Sequence, residues 1–389
     1  MPLRTMPIRP PGPGSAWRAA ALLGLISSTF STLVSQLTAA RIGRDATVDW
    51  MVVAAIPLRD AALSPEPTWP VVAAGILFHQ WADVSWALVF FGLLGRWTAG
   101  LSPATLLVLC GPWALLTSFL EWVMLVPLLP FRQPIFTLAQ PYWIGFLVHL
   151  ASASIYPLFP SLRDWIEERR PSPHRDFAAV WAGLAAAGAS GLGVLAVLGW
   201  LGWEVPHLGD EAAHDQSTLR RMIEHHAQGA QLAALAVERA EDPHLRALAA
   251  LMVAAQNGEI AVMVQWWDSW FPALSSLCTP QEREAMPGMA RPDEVEALRR
   301  SGGRDFDPLF VTLMSRHHAG AVRMADEALA RAGDPRVRLL SHAIRHQQRG
   351  EIDLMHGSRD LAAVAAAARN LMLPFGRVPA DRAPSRAQP

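Results

Sequence analysis

The chain has 389 residues, 51% hydrophobic and 17% charged, with a formal net charge of −1. The charged share falls below the roughly 25% of an average soluble domain, and near-neutrality without a basic stripe argues against nucleic-acid binding. The two cysteines, Cys110 in an apolar segment and Cys278 in a polar one, exclude a disulfide-stapled fold.

The apolar excess sits in the first half. Near-uncharged stretches occur at about 17–37, 71–94, 104–126, 142–159 and 179–200. Each is close to the ~20 residues that a membrane-spanning helix needs, so five spans are expected. Trp17, Trp97, Trp122, Tyr142, Trp143, Tyr156, Trp200 and Trp203 stand near the segment ends, as interfacial aromatics do.

Arginine sets the orientation, because the chain has no lysine. An inside N-terminus puts Arg4, Arg9, Arg18, Arg96, Arg163, Arg169, Arg170 and Arg175 in the cytoplasm, and Arg41, Arg44, Arg59 and Arg132 outside. That distribution obeys the positive-inside rule. The expected location is a bacterial inner membrane, multi-pass, with the C-terminal half emerging on the outer side. A cleaved first segment ending near Ala40 would leave that outcome unchanged.

Four ionisable residues interrupt the apolar segments: His79 and Asp83 one turn apart, then Glu121 and His149. Each costs about 2.5–3.5 kcal/mol near the bilayer centre on insertion scales. They are candidates for one polar pocket opening outward, suited to ion hand-off or proton-coupled passage. Interhelical hydrogen bonding without transport is the plainer alternative.

After the spans the sequence repeats itself at an offset of 92 residues. Met222, His225, His226, Asp242, Pro243, Gln256, Gly258, Glu259, Ile260 and Met263 return as Met314, His317, His318, Asp334, Pro335, Gln348, Gly350, Glu351, Ile352 and Met355. Without a gap, 215–263 and 307–355 agree at 18 of 49 positions, and what survives is largely His, Met, Glu and helix punctuation.

Asp242-Pro243, Asp307-Pro308 and Asp334-Pro335 each place a capping carboxylate before a Pro suited to the first helical position, and Asp215, the counterpart of Asp307, is assigned to capping as well. Helices are expected at about 215–240, 244–270, 307–332 and 336–368. Each repeat is then an antiparallel hairpin, and two hairpins bury each other's apolar faces as a four-helix bundle. The expected fold is all-α: a membrane domain (1–203) and an extracytoplasmic bundle (204–373). The bundle comprises repeat one (215–270), a crossover (271–305) with a capping-box start at Thr279, and repeat two (306–368). A disordered tail (374–389) is expected beyond it.

Residues three and four apart share a helical face. Met314, His317, Ala321 and Met324 therefore line one stripe, and Met222, His225, Gly229 and Leu232 line its counterpart, one methionine short. Glu259 with Met263, and Glu351 with Met355, stand at i and i+4 on the second helices. Small residues beside the histidines would let a facing helix come close. Met at helical spacing is usually core filler, but the conjunction recurs at fixed spacing in copies that otherwise diverge. Imidazole plus thioether is a soft set that suits Cu(I) and Ag(I), and Cu(II) where imidazoles dominate. The Glu-x-x-His pairs of a di-iron carboxylate bundle do not occur in either copy.

This pattern of Met-x-x-His-His, Met-Ala, Asp-Pro and Gln-x-x-Glu-Ile-x-x-Met resembles the bacterial family called domain of unknown function 305. The match runs closely through Met314, His317, His318, Met324, Ala325, Asp334, Pro335, Gln348, Glu351, Ile352 and Met355. The first copy departs from it at Leu232 and in Ala227-Gln228-Gly229-Ala230. The resemblance covers about 209–360 and implies a ferritin-like helical fold and, through the family's CopM-type members, periplasmic copper binding.

The resulting expectation is a membrane-anchored copper-binding protein for sequestration, tolerance or hand-off, with no enzymatic role. The candidate ligands are Met222, His225, His226, Glu259, Met263, Met314, His317, His318, Met324, Glu351 and Met355, with the glutamates orienting a histidine or completing a Cu(II) site. Its partners are the lipid bilayer and the metal ion, with a homo-oligomer or copper-handling partner left open. Metal affinity is expected to fall as pH drops through about 6.5, where free imidazoles protonate. A metal permease with the bundle as receptor, and a structural or signalling module without metal, are the alternatives.

Overall fold

A computed structural model describes residues 13–168 and 172–372, which are helical and contain no strand. The tail at 374–389 and Arg4, Arg9, Arg169 and Arg170 lie outside the described residues.

Among the described residues, six helices are long and apolar enough to cross a membrane: Gly14–Ile42, Trp69–Leu93, Pro103–Leu125, Tyr142–Ile166, Arg175–Trp200 and Pro243–Trp270. The first five coincide with the expected spans. The sixth differs in kind. It lies in the repeat region, and 72% of its apolar window is buried, against 6% for Arg175–Trp200. Its apolar surface is spent on neighbouring helices, so length and hydropathy alone do not make it a span.

The chain divides into two compact units that ignore chain order. One holds residues up to Gln36 together with Ile76–Leu120 and Trp143–Gly193. Its core packs Ala16, Ala19, Ala20 and Leu23 with Ala87, Phe90, Phe91, Tyr156 and Phe159. Small residues on the first helix let the aromatic ones come in close, and Phe91 stacks on Phe159 at 3.8 Å.

The other unit joins Leu37–Gly75 and Glu121–Tyr142 to the chain from Val194 onward. Its frame is four helices: Ala212–Arg239, Pro243–Trp270, Phe306–Arg331 and Pro335–Met355, here bundle helices one to four. Helices one and two, and three and four, form the two hairpins, and helix one packs on helix three. The short helices Ala46–Leu58 and Pro134–Ala139, from segments between the spans, pack against this frame.

The Asp-Pro starts of helices two and four behave as expected. Asp242 accepts from His244 N at 2.8 Å and Asp334 from Arg336 N at 2.8 Å. The capping box at Thr279 is formed with Glu282.

Two expectations are corrected. Helix three begins at Phe306, so Asp307 lies inside it and does not cap it. Its carboxylate instead accepts from Glu241 N and Asp242 N of the other hairpin's turn, at 3.0 and 2.9 Å. Asp215 likewise lies inside helix one and does not cap it, and its carboxylate accepts from Gly333 N and Asp334 N, at 3.1 and 2.8 Å. Each repeat therefore clasps the Asp-Pro turn of its twin. Helix four stops at Met355 rather than reaching 368, because Gly357 takes a left-handed φ of 81° and a separate helix, Asp360–Met372, follows.

Candidate metal centre

The histidine pairs sort themselves by the angle that separates neighbours on a helix. His225 and His317 point between helices one and three, where their rings lie 3.9 Å apart, centroid to centroid, at 35°. Gly229 makes room for this. A Cβ there would press on Gln256 Oε1 and stand 2.8 Å from His317 Cε1. His226 and His318 turn instead toward the second helix of their own hairpins. His226 Nε2 donates to Glu259 Oε2 at 2.7 Å, and His318 Nε2 to Glu351 Oε2 at 2.6 Å. The glutamates thus orient histidines, one of the two roles expected of them.

These bonds fix the tautomers. His225 Nε2 lies 3.1 Å from the carbonyl oxygen of Pro287, and His317 Nε2 lies 3.0 Å from that of His225. A carbonyl oxygen only accepts, so Nε2 carries the proton in both rings and Nδ1 keeps a lone pair. The Nδ1 atoms of all four rings are buried without a partner, as are Glu259 Oε1, Gln256 Oε1 and Gln348 Oε1. Each orphaned acceptor costs about 1–3 kcal/mol. Among the described residues the bundle interior thus holds an excess of buried acceptors over donors, which is what a cation satisfies.

Burial keeps the central rings neutral. It pushes His225 down to about 3, helped by the neighbouring His226, and holds His317 well below the ordinary histidine range, helped by His225 and His318. In the folded protein, protons therefore begin to compete for these nitrogens far below the pH of about 6.5 expected from free imidazoles.

The thioethers fall into two groups. Met222, Met263 and Met324 share one buried cluster with Leu219, Trp266, Ala321 and Ala325. Met314 shares the other with Leu232, and Met355 packs at its margin. The missing methionine of repeat one thus weakens the cluster that holds repeat two's Met314 and Met355. Among the described residues, no three His, Cys, Asp or Glu side chains form a ready metal-binding group. What remains is the His225–His317 imidazole pair and two methionine-containing clusters, donors of a kind that suits a monovalent soft ion better than a hard one.

The profile of the family described as Domain of unknown function (DUF305) matches residues 215–359. A DUF305 fragment from Deinococcus radiodurans is 31% identical over 39% of this chain and 97% of its own length, with a TM-score of 0.35. Residues 215–359 of this chain belong to the DUF305 family. A secreted DUF305 protein from Streptomyces coelicolor is 27% identical, covering 36% of this chain and 89% of that one (TM-score 0.34). CopM in a Cu(I)-bound form is 29% identical over 36% of this chain and 92% of its own (TM-score 0.31). Among curated proteins nothing matches.

Outside the DUF305 domain, the four polar residues of the apolar segments are not gathered within one unit. His79 and Asp83 are together, 3.5 Å apart, and both bond Ser31 Oγ, at 3.0 and 2.6 Å. His149 Nδ1 lies 3.1 Å from Thr117 Oγ1. Glu121 belongs to the other unit, on a π-helical turn at Leu120–Leu125.

Two residues near the DUF305 histidines, Gln347 and Arg44, escaped the sequence reading. Gln347 Nε2 donates to Glu351 Oε1 at 3.0 Å, and Gln347 Oε1 accepts from Arg44 Nη1 at 3.1 Å. His346 bonds the Thr137 carbonyl at 3.3 Å, and its Nδ1 is buried without a partner. Gln347 corresponds to Ala255 in repeat one, so the comparison of repeats could not reveal it.

Proposed function

We propose that the protein is a membrane-anchored, extracytoplasmic binder of a soft metal ion, copper in the first place, for sequestration or hand-off. The observation that carries this reading is the set of four buried imidazoles whose Nδ1 lone pairs have no partner. His225, His226, His317 and His318 would each offer Nδ1 as a donor, the His225–His317 pair and the two outer histidines serving separate positions rather than one four-imidazole shell, with thioethers available from Met222, Met263 and Met324 and from Met314 and Met355. Glu259 and Glu351 hold the outer histidines in the ligating tautomer. An ion bound there satisfies acceptors that otherwise cost stability. CopM, one of the similar proteins, is described with Cu(I) bound, and the proposal extends that ion to this chain.

Anchoring is supported by the five apolar helices outside the DUF305 domain. The two segments read as external, within Leu37–Gly75 and Glu121–Tyr142, fold into the same unit as the bundle, as an extracytoplasmic domain would require. The permease reading rests on the Ser31–His79–Asp83 cluster, and metal flux in proteoliposomes separates it from a tether.

The test is titration of the detergent-solubilised full chain with Cu(I), Ag(I), Cu(II) and Zn(II), beside His317→Ala/His318→Ala. Tight Cu(I) or Ag(I) binding that the variant loses is expected. No ion binding tighter than micromolar would make the repeat a packing signature.

A further inference from the structure

The DUF305 site does not end at the DUF305 domain. Arg44 follows the first apolar helix and is buried, 4% exposed, against bundle helix four. Gly43 allows that approach, with a φ of 82° and a hypothetical Cβ only 2.7 Å from Leu340 Cβ. From Arg44 a continuous chain of hydrogen bonds runs inward. Its Nη1 donates to Gln347 Oε1 at 3.1 Å, Gln347 Nε2 to Glu351 Oε1 at 3.0 Å, and His318 Nε2 to Glu351 Oε2 at 2.6 Å. The other edge of the guanidinium is held by Asp49, at 2.5 Å, and Gln140 Nε2 donates to Asp49 Oδ1 at 2.8 Å.

The two repeated glycines show that this contact face is built in. A Cβ at Gly258 would stand 2.7 Å from Asp45 Cβ, and one at Gly350 would strike the Leu138 carbonyl. Both glycines thus admit segments from outside the DUF305 domain, at symmetry-related places. Burial works against the Arg44 charge, but Asp49, Glu259 and Glu351 outweigh it, so the guanidinium stays protonated.

We propose that Arg44 is a positioning residue for the metal centre, acting through Gln347 to fix Glu351 and so aim the Nδ1 lone pair of His318. The segment after the first span is then part of the site, and the DUF305 domain alone is incomplete. Repeat one has Ala255 where repeat two has Gln347, and there Glu259 Oε1 is left without a partner. The relay serves one histidine of the four. This inference rests on the metal-binding reading above.

The test compares Ag(I) affinity of the full chain with that of Arg44→Met, Arg44→Lys and Gln347→Leu, each checked for folding by thermal unfolding. Gln347→Leu leaves the Arg44–Asp49 pair intact. Loss of an outer-shell partner typically weakens metal binding by about 10–100-fold, so all three should weaken, Lys included, because one ammonium lacks the guanidinium fork. An Arg44 acting only as a distant positive charge gives the opposite pattern: Arg44→Met binds more tightly and Arg44→Lys binds as wild type. That pattern, or unchanged affinity in Gln347→Leu, overturns the proposal while the metal-binding reading stands. Failure of the wild-type chain to bind Ag(I) overturns the reading itself.

Discussion

His225 and His317 are the same residue of the two repeats, and their rings face each other 3.9 Å apart across the bundle's pseudo-twofold axis. Each is also tied to backbone, His317 to the carbonyl of His225 and His225 to that of Pro287 in the crossover. Two neutral, buried imidazoles held this way shape the metal-free protein's response to acid, to substitution and to soft ions.

Acid should unfold the metal-free protein early. His225, at about 3, and His317 titrate in the folded state below their unfolded value near 6.5, as do His342, at about 4, and His346, at about 3. Between those values the unfolded chain binds more protons. Stability is therefore fully present above pH ~6.5 and falls as pH drops toward 3, by about 1.4 kcal/mol per pH unit for each such group. Thermal melts from pH 7.5 to 4.5 should show a steepening decline below 6.5, made shallower by His225→Gln. A midpoint unchanged to pH 4.5 would contradict this.

The cross-repeat clasps should be unequal. Asp215 is fully buried and also bonds His207 Nε2 at 2.8 Å, whereas the Asp307 contacts are exposed. Hydrogen bonds to charged groups are worth about 1.5–3 kcal/mol when buried. Asp215→Ala should cost roughly 3 kcal/mol or more in denaturant titration, and Asp307→Ala about 1 kcal/mol. Equal losses would mean that the Asp215 clasp adds nothing through burial.

Leu232→Met should add a thioether to the cluster that holds Met314 and Met355, and Met324→Leu should remove one from the other cluster. Both swaps nearly conserve volume and should cost under about 1.5 kcal/mol. Ag(I) affinity should rise in the first and fall in the second. Identical binding in both would assign the methionines to packing.

Gly350→Ala should be the more damaging of the two repeated-glycine substitutions, because its Cβ meets the Leu138 backbone, while Gly258→Ala meets the Asp45 side chain. Overpacking of this kind costs about 1–3 kcal/mol. Limited proteolysis should then cut Glu121–Tyr142 faster in Gly350→Ala. Unchanged cleavage would mean that this segment does not depend on the glycine.

The sequence was legible where the chemistry is local or repeated. Asp242 and Asp334 cap their own helices because an Asx-Pro start is a contact between neighbours, and the Met/His/Glu pattern stood out because two copies preserve it. Asp307 carries the same local signature yet serves the other hairpin, a choice that only the packing of the twins makes. Leu232 looked like a defect of repeat one, but the twofold arrangement moves its effect to Met314 and Met355 of repeat two. Arg44 left no signal, because its partner Gln347 lies 303 residues away and is not repeated.

The central claim is that these imidazoles and thioethers jointly hold a soft ion, and X-ray absorption of the Cu(I)-loaded full chain tests it most directly. The account predicts nitrogen and sulfur together around copper, with the sulfur signal reduced in Met222→Leu/Met263→Leu/Met324→Leu. A protein that retains no copper, or a shell without sulfur that the triple variant leaves unchanged, would contradict it.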